Sequence, residues 1–417
     1  MGRAENISAR VSLVETKCLI QRADRTKTGR TDGSRINLAA RRASRAIPAH
    51  AGHRRRLRQI DGDVRRTAGL MRSGDAQRGG MNRHAWLDHA RGIGIILVVY
   101  AHQMRAQTAI GQFPAAWNGP FQDALIYSFH MPLFFFISGV VSLKSMRSKP
   151  FAESFLDKLK SIAYPYFLWS ILSWCLSALA VHYVNKPMDF RSLISIVYQP
   201  ILQYWFLYVL FFCQLVALIF RRAFPANIVI AAIFLVAPLP FINPTINEFV
   251  ASFPFFVIGM MTSGFLLAPT DRRSTRGKIL AAVAALGVFM VLVCVRRDNS
   301  ASLSAAALVQ AWAGIAFIIV VARIIGPRCS WLSTLGQASM AIFVMHTIVA
   351  AAIRTILGMT GPHHPLLLLL ACVIGGLIVP LIVVRVAAIY RLEPWLGLGK
   401  SERRSVGADR PIALAVP

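Results

Sequence analysis

Residues 86–102 read Trp86-Leu87-Asp88-His89-Ala90-Arg91-Gly92-Ile93-Gly94-Ile95-Ile96-Leu97-Val98-Val99-Tyr100-Ala101-His102. Every residue from Gly92 to Val99 is glycine or aliphatic, which predicts a helix that enters a membrane. His102 follows Arg91 by eleven residues, about 16 Å along a helix. This spacing puts a charge at one membrane edge and an imidazole near mid-membrane, where polar groups are costly and are functional candidates.

The composition of the whole chain agrees with a membrane protein. Of its 417 residues, 55% are hydrophobic and 15% are charged, and the mean hydropathy is +0.53. Soluble domains average about 25% charged residues, so a soluble, disordered, coiled-coil or collagen-like chain is excluded. We predict an all-α polytopic protein with ten spans of about 17–25 residues. They lie near 92–111, 122–143, 161–183, 200–220, 226–243, 249–268, 278–295, 303–325, 336–357 and 365–388.

The net charge of +28 is distributed unevenly between the connections. The loops that follow even-numbered spans hold thirteen Lys or Arg residues, and those that follow odd-numbered spans hold four. Basic residues concentrate in cytoplasmic loops, so both termini of a multi-pass cell-membrane protein are predicted in the cytoplasm. The same pattern argues against nucleic acid as the partner of the basic residues.

The two ends of the chain are predicted to lie outside the membrane domain. Residues 1–80 are basic and lack a signal-peptide apolar stretch, so we expect a disordered extension, with translation starting at Met81 or Met71. Residues 81–390 form the predicted membrane domain, and 391–417 a short cytoplasmic tail. The six cysteines have no metal-ligand or redox spacing, and no metal site is predicted.

Two further predicted spans carry histidines. The second contains His130-Met131-Pro132-Leu133-Phe134-Phe135-Phe136-Ile137-Ser138-Gly139. The ninth contains the stretch from Ser339 to His346, in which Met345-His346 follows Val344. Ser138 and Gly139 are small residues typical of close helix packing. Three intramembrane histidines with few intramembrane acids favour a base that acts on a neutral hydroxyl over a carboxylate-driven pump.

These stretches resemble acyltransferase family 3, integral membrane proteins that include O-acetylases of bacterial surface polysaccharides, such as fucose 4-O-acetylase-like members. Arg91 and His102 have the family's R-x10-H spacing, and His130 to Gly139 resembles its second-span motif closely. Tyr164-Pro165-Tyr166, Tyr204-Trp205-Phe206-Leu207 and Ser339 to His346 also fall where the family has similar motifs, so the resemblance covers roughly residues 83–390. One difference is that lysines, Lys158 and Lys160, stand where the family often has an Arg-x-x-Arg pair.

The resemblance implies an O-acyltransferase that moves an acyl group, most simply acetyl, from cytoplasmic acetyl-CoA to a hydroxyl of a cell-surface glycan or its lipid-linked precursor. His102 and His130 are then the candidate catalytic residues. Arg91, Lys158 and Lys160 would bind the coenzyme phosphates, and Asp88, Ser138, Gly139 and His346 would support the site.

Other interpretations of the same residues stay open. Arg91 alone is consistent with a cytoplasmic anchor paired with Asp88 on the same helix face, and His102 with a hydrogen-bonded core histidine. A transporter or flippase of lipid-linked sugars also needs about ten spans and intramembrane polar groups. The acceptor glycan, the choice between acetyl and succinyl, and the oligomeric state are not specified by the sequence.

Overall fold

The computed structural model describes residues 85–179, 189–236, 243–268, 275–295, 305–325, 329–361 and 364–398. Within these ranges the regular structure is entirely helical, which confirms the predicted all-α class. The predicted extension 1–80 with its start sites, and the tail beyond 398, lie outside the described residues.

Fourteen helices are numbered here in chain order within the described ranges. Helix α1 spans 85–109. The next six are α2 (Gly119–Tyr127), α3 (His130–Ser148), α4 (Phe151–Lys158), α5 (Tyr164–Leu179), α6 (Phe190–Ser195) and α7 (Trp205–Ile219). They are followed by α8 (Phe224–Val236), α9 (Pro244–Leu266), α10 (Thr275–Val295), α11 (Ala305–Ile325), α12 (Ser330–Gln337), α13 (Ser339–Met359) and α14 (Pro365–Tyr390).

By length and composition, eight helical segments of the described chain can cross a membrane, whereas ten spans were predicted. They are Ala115–Ser148, Phe151–Leu179, Leu202–Ile219, Pro244–Leu266, Arg276–Val295, Ala306–Ile325, Ser339–Met359 and Pro365–Tyr390. The other two predicted spans fall on α1 and α8. Helix α1 carries charges at both ends, and the 13 residues of α8 extend only about 20 Å.

The surface of the bundle is apolar where the long helices face outward. Leu280, Val291 and Val295 on α10 and Ile382 and Ile389 on α14 are all exposed, at 56–74% of their area. An exposed patch of this extent marks contact with lipid in a multi-pass membrane protein.

Helices α3 and α9 cross in close contact through a reciprocal pair of glycines. A Cβ atom on Gly139 would overlap the carbonyl oxygen of Phe256, and one on Gly259 would overlap that of Phe136. Small residues let membrane helices approach closely and gain packing energy. This confirms the predicted packing role of Gly139, whereas Ser138 faces a cavity.

The third predicted span begins about ten residues earlier than expected. Helix α4 continues through a π-helical turn, Leu159–Ala163, directly into α5. Pro165 lacks an N–H group and its ring crowds the carbonyl one turn back, and a wider turn relieves this clash. Lys158 and Lys160, which were predicted in a loop, therefore lie on a continuous helical segment.

The glycine crossing predicts the effect of a single methyl group. Gly139→Ala should lower the free energy of unfolding in detergent by about 1–3 kcal/mol, because the α3–α9 crossing must separate. Gly264→Ala on α9 is the matched control, since nothing lies within 4 Å of its added Cβ. Equal thermal stability of the two variants would contradict the reciprocal contact.

Candidate functional site

The N-terminal end of α1, called here the Arg91 end, is fixed against α12. A Cβ atom on Gly336 would overlap the carbonyl oxygen of Asp88, and one on Gly92 would overlap that of Leu332. Two glycines thus bring the backbones of α1 and α12 into contact. This contact sets where the side chains of the first turns of α1 point.

Asp88 links Arg91 to α12. The Asp88 Oδ2 atom accepts a hydrogen bond of 3.0 Å from Gln337 Nε2, and Asp88 Oδ1 lies 3.7 Å from Arg91 Nη1. The predicted helical ion pair is present but loose, and both side chains are partly exposed. The guanidinium therefore keeps donors available for another anion.

A cavity of about 250 Å³ opens beside Arg91. Its polar wall comes from α1, α3, the π-helical turn, α12 and α13, and its apolar wall includes three phenylalanines. The polar side chains that line it are those of Arg91, Ser138, Ser161, Gln337 and Ser339, and Phe343 lies on its apolar wall. The cavity thus combines one cation, three hydroxyl groups and one side-chain amide with an apolar wall.

The two predicted lysines stand apart from the cavity wall. Lys158 ends α4 and is half-buried, and Lys160 in the π-helical turn is exposed. Ser161, the next residue, does line the cavity. The structure therefore brings Arg91 to the cavity and leaves the lysines on the segment that flanks it.

Deeper in the bundle, His102 lies against His346. Their ring centroids are 5.2 Å apart, and the His346 ring is 6.2 Å from that of Phe343, which lines the cavity. His102 is partly exposed, whereas His346 is completely buried. The inner wall of the cavity is thus connected through two aromatic contacts to the ring of the partly exposed His102.

His130 is separated from His102 by Tyr127. The Tyr127 ring meets the His130 ring edge-to-face at 4.6 Å and the His102 ring at 6.3 Å. Helices α1, α2, α3 and α13 therefore bring all three predicted histidines into one neighbourhood.

Two of these imidazoles are held by carbonyl groups of their own helical segment. His130 Nδ1 is 2.8 Å from the Ile126 oxygen, and His346 Nδ1 is 3.0 and 2.9 Å from those of Ile342 and Phe343. A carbonyl only accepts, so Nδ1 must carry the proton in each ring. The Nε2 atoms of both rings are then lone-pair acceptors, buried and without a hydrogen-bond partner in the described chain.

Helix α13 is positioned by hydrogen bonds on both sides of His346. The Tyr204 hydroxyl donates to the Val344 carbonyl oxygen at 3.0 Å and contacts Ser173 Oγ at 2.7 Å, and Gln203 Nε2 donates to Thr347 Oγ1 at 2.7 Å. Buried hydrogen-bonded side chains of this kind hold one arrangement of the helices. The Tyr204 region, noted in the sequence as a motif, thus fixes the imidazole of His346.

Sequence reasoning missed a charged group at the other end of α1, called here the Arg105 end. Arg105 forms a bidentate ion pair with Asp123 on α2. The available signal was that Arg105 follows His102 by three residues, which places both on one helix face. Among the described residues, no group of three or more His, Cys, Asp or Glu could hold a metal ion.

Comparison with known proteins assigns the family. The model of acyltransferase family 3, described as an acyltransferase domain, matches residues 84–385. The chain belongs to acyltransferase family 3. This confirms the predicted family and, at the level of enzyme class, an acyltransferase in a multi-pass membrane fold.

Two curated relatives of this acyltransferase are both named Nodulation protein NolL. The protein of Mesorhizobium japonicum is 31% identical over 144 residues, 34% of this chain and 38% of the relative. That of Sinorhizobium fredii is 26% identical over 195 residues, 45% of this chain and 51% of the relative. The matched part therefore spans about half or less of these relatives, and no solved structure matches the acyltransferase significantly.

The histidine geometry predicts a distinctive tautomer. In ¹⁵N-histidine-labelled acyltransferase at alkaline pH, His130 and His346 should show a protonated Nδ1 and an unprotonated Nε2. His364 is the control, because its Nδ1 accepts from the Leu366 N–H at 3.3 Å and its proton must lie on Nε2. Solid-state NMR distinguishes the two nitrogen types, and the His364 pattern at His346 would contradict the assignment.

Proposed function

We propose that this acyltransferase moves an acyl group, most simply acetyl, from acyl-CoA to a hydroxyl group of a cell-surface glycan or its lipid-linked precursor. The donor would come from the cytoplasm and the enzyme would reside in the bacterial inner membrane. The observation that carries the proposal is the partly exposed His102, whose ring is connected through those of His346 and Phe343 to a cavity that begins at Arg91.

The cavity suits the acyl-pantetheine arm of an acyl-CoA molecule. At about 250 Å³ it is smaller than pockets that enclose drug-sized ligands, but it can admit a linear acyl-pantetheine arm. Ser138, Gln337 and Ser339 offer hydrogen bonds to the amides of such an arm. The phosphates would remain at the mouth, where Arg91 donates and Lys158 and Lys160 add positive charge.

The chemical step needs a base because a sugar hydroxyl is a poor nucleophile. His102 removes the hydroxyl proton while the oxygen attacks the thioester carbonyl carbon, and the new C–O bond forms. The C–S bond then breaks, and the departing thiolate of coenzyme A takes the proton back from His102. Assistance of this kind is typically worth about 10²–10⁴-fold in rate.

His346 is the group that orients this base. Its Nε2 lone pair can accept the N–H of the neighbouring His102 ring, which leaves the other nitrogen of His102 free to take a proton. Sites that activate a nucleophile generally consist of the nucleophile, a base that takes its proton, and a third group that orients the base. His130, one aromatic ring further away, is placed to accept a hydrogen bond from the alcohol substrate.

Replacement of His102 tests the proposal. His102→Ala should reduce acetyl transfer from radiolabelled acetyl-CoA to carbohydrate by at least about 10²-fold, with normal membrane insertion. His89→Gln is the matched control. His89 lies on the same helix, α1, and is buried with its Nδ1 atom 3.4 Å from the Ala322 carbonyl oxygen, but it does not line the cavity.

Full turnover by His102→Ala would contradict the assignment of the base. Carbohydrate movement across vesicle membranes without consumption of acetyl-CoA would instead support the transporter interpretation.

A further inference from the structure

The Arg105 end of α1 carries a charged pair that has no role in the transfer steps proposed above. Arg105 Nε lies 2.5 Å from Asp123 Oδ1, and Arg105 Nη2 lies 2.8 Å from Asp123 Oδ2. The arginine side chain is 49% exposed and the aspartate side chain 18%. The bidentate geometry fixes the orientation of both groups, and about half of the arginine side chain stays exposed to a ligand.

The pair is continuous with the histidines. The Arg105 guanidinium lies 3.1 Å from the centroid of the Tyr127 ring, on its face. Tyr127 in turn contacts the rings of both His130 and His102. A path of side-chain contacts therefore runs from the exposed guanidinium of Arg105 to the ring of His102, the proposed base.

An unused acceptor borders this path. The Nε2 atom of His130 is completely buried and has no hydrogen-bond partner among the described residues, while its Nδ1 is fixed by the Ile126 carbonyl. A buried acceptor without a donor costs free energy unless a ligand or water supplies the donor. A hydroxyl group is such a donor.

The groups at this end match a compound with several neighbouring hydroxyls. The guanidinium has five N–H donors, of which two are engaged by Asp123, and about half of the arginine side chain is exposed. Tyr127 adds an aromatic ring beside them, one face of which is covered by the guanidinium. A simple alcohol would use only one of these groups, whereas a sugar ring can use donors, acceptors and the aromatic surface together.

We propose that Arg105, Asp123, Tyr127 and His130 form the acceptor subsite, which binds a carbohydrate and directs one hydroxyl to His102. This inference rests on the proposed function, and it specifies where the acceptor binds. Arg105 follows Arg91 by fourteen residues, about 21 Å along α1. Donor and acceptor thus approach His102 from opposite ends of the same helix, so neither blocks entry of the other.

Binding and turnover by the purified full chain in nanodiscs test the subsite. Saturation-transfer NMR measures binding of L-fucose, D-galactose and D-glucose, and acetyl transfer is measured with the same sugars and with 1-hexanol, which has one hydroxyl. Asp123→Asn should weaken sugar binding and raise the sugar KM by roughly 10–100-fold, because it removes charged hydrogen bonds. The KM values for acetyl-CoA and hexanol should stay within about twofold.

Exchanging the two charges distinguishes a role of the pair in sugar binding from a purely structural role in holding α1 against α2. The double variant Arg105→Asp with Asp123→Arg keeps an ion pair between the helices, so the subsite predicts normal thermal stability with sugar binding still lost. Glu153→Gln is the control, since it breaks the 3.1 Å Lys149–Glu153 pair at the other end of the bundle. It should leave binding and turnover unchanged.

The outcomes distinguish this inference from the function it rests on. Restored sugar binding in the charge-exchanged variant, or unchanged sugar binding in Asp123→Asn, would overturn the subsite. Absence of binding of all three sugars to the wild-type protein would overturn it as well. Hexanol acetylation by the wild type that is lost in His102→Ala would then still support the proposed function.

Discussion

The hydrogen bonds from His130 and His346 to backbone carbonyls are the constraint on which the interior of this protein depends. A polar ring inside a membrane bundle must find a partner, and each of these rings finds it one helical turn back. Because a carbonyl can only accept, these bonds leave each ring with one buried lone pair. The protein thereby places two acceptors near a third imidazole, that of His102, which is more accessible.

Helix packing supports this arrangement from both directions. The glycine pair of α3 and α9 fixes the helix that begins with His130, and the α1–α12 contact at Gly336 fixes the turn that carries Arg91. Tyr204 and Gln203 hold α13 on either side of His346. The cavity, the His102 imidazole and the Arg105–Asp123 pair then lie in sequence along α1.

Much of this could be predicted from the sequence, because apolar run length and motif order carry strong local signals. The all-α membrane class, the family, the Asp88–Arg91 pair and the packing role of Gly139 follow from residues within one or two turns of each other. The number of spans was less predictable. Hydropathy alone predicts the bounds of a span poorly when charged residues at both ends shorten its apolar stretch, as in α1. It also predicts them poorly when a π-helical turn joins a basic segment to an apolar one, as before Tyr164.

The contacts between distant helices could not be derived from local patterns. Nothing in the spacing of His346 indicates that its ring lies 5.2 Å from that of His102, 244 residues earlier. The pairing of Arg105 with Asp123 likewise depends on how α2 folds back along α1. In both cases the residue types were informative, but their partners were decided by tertiary packing.

The most direct measurement of the central claim is a cryo-electron microscopy structure with a non-reactive thioether analogue of acetyl-CoA. The account predicts the nucleotide at the Arg91 end, the pantetheine arm in the cavity lined by Ser138 and Ser339, and the acyl group beside His102. A nucleotide bound at the Arg105 end, or an acyl group out of reach of the His102 imidazole, would contradict it.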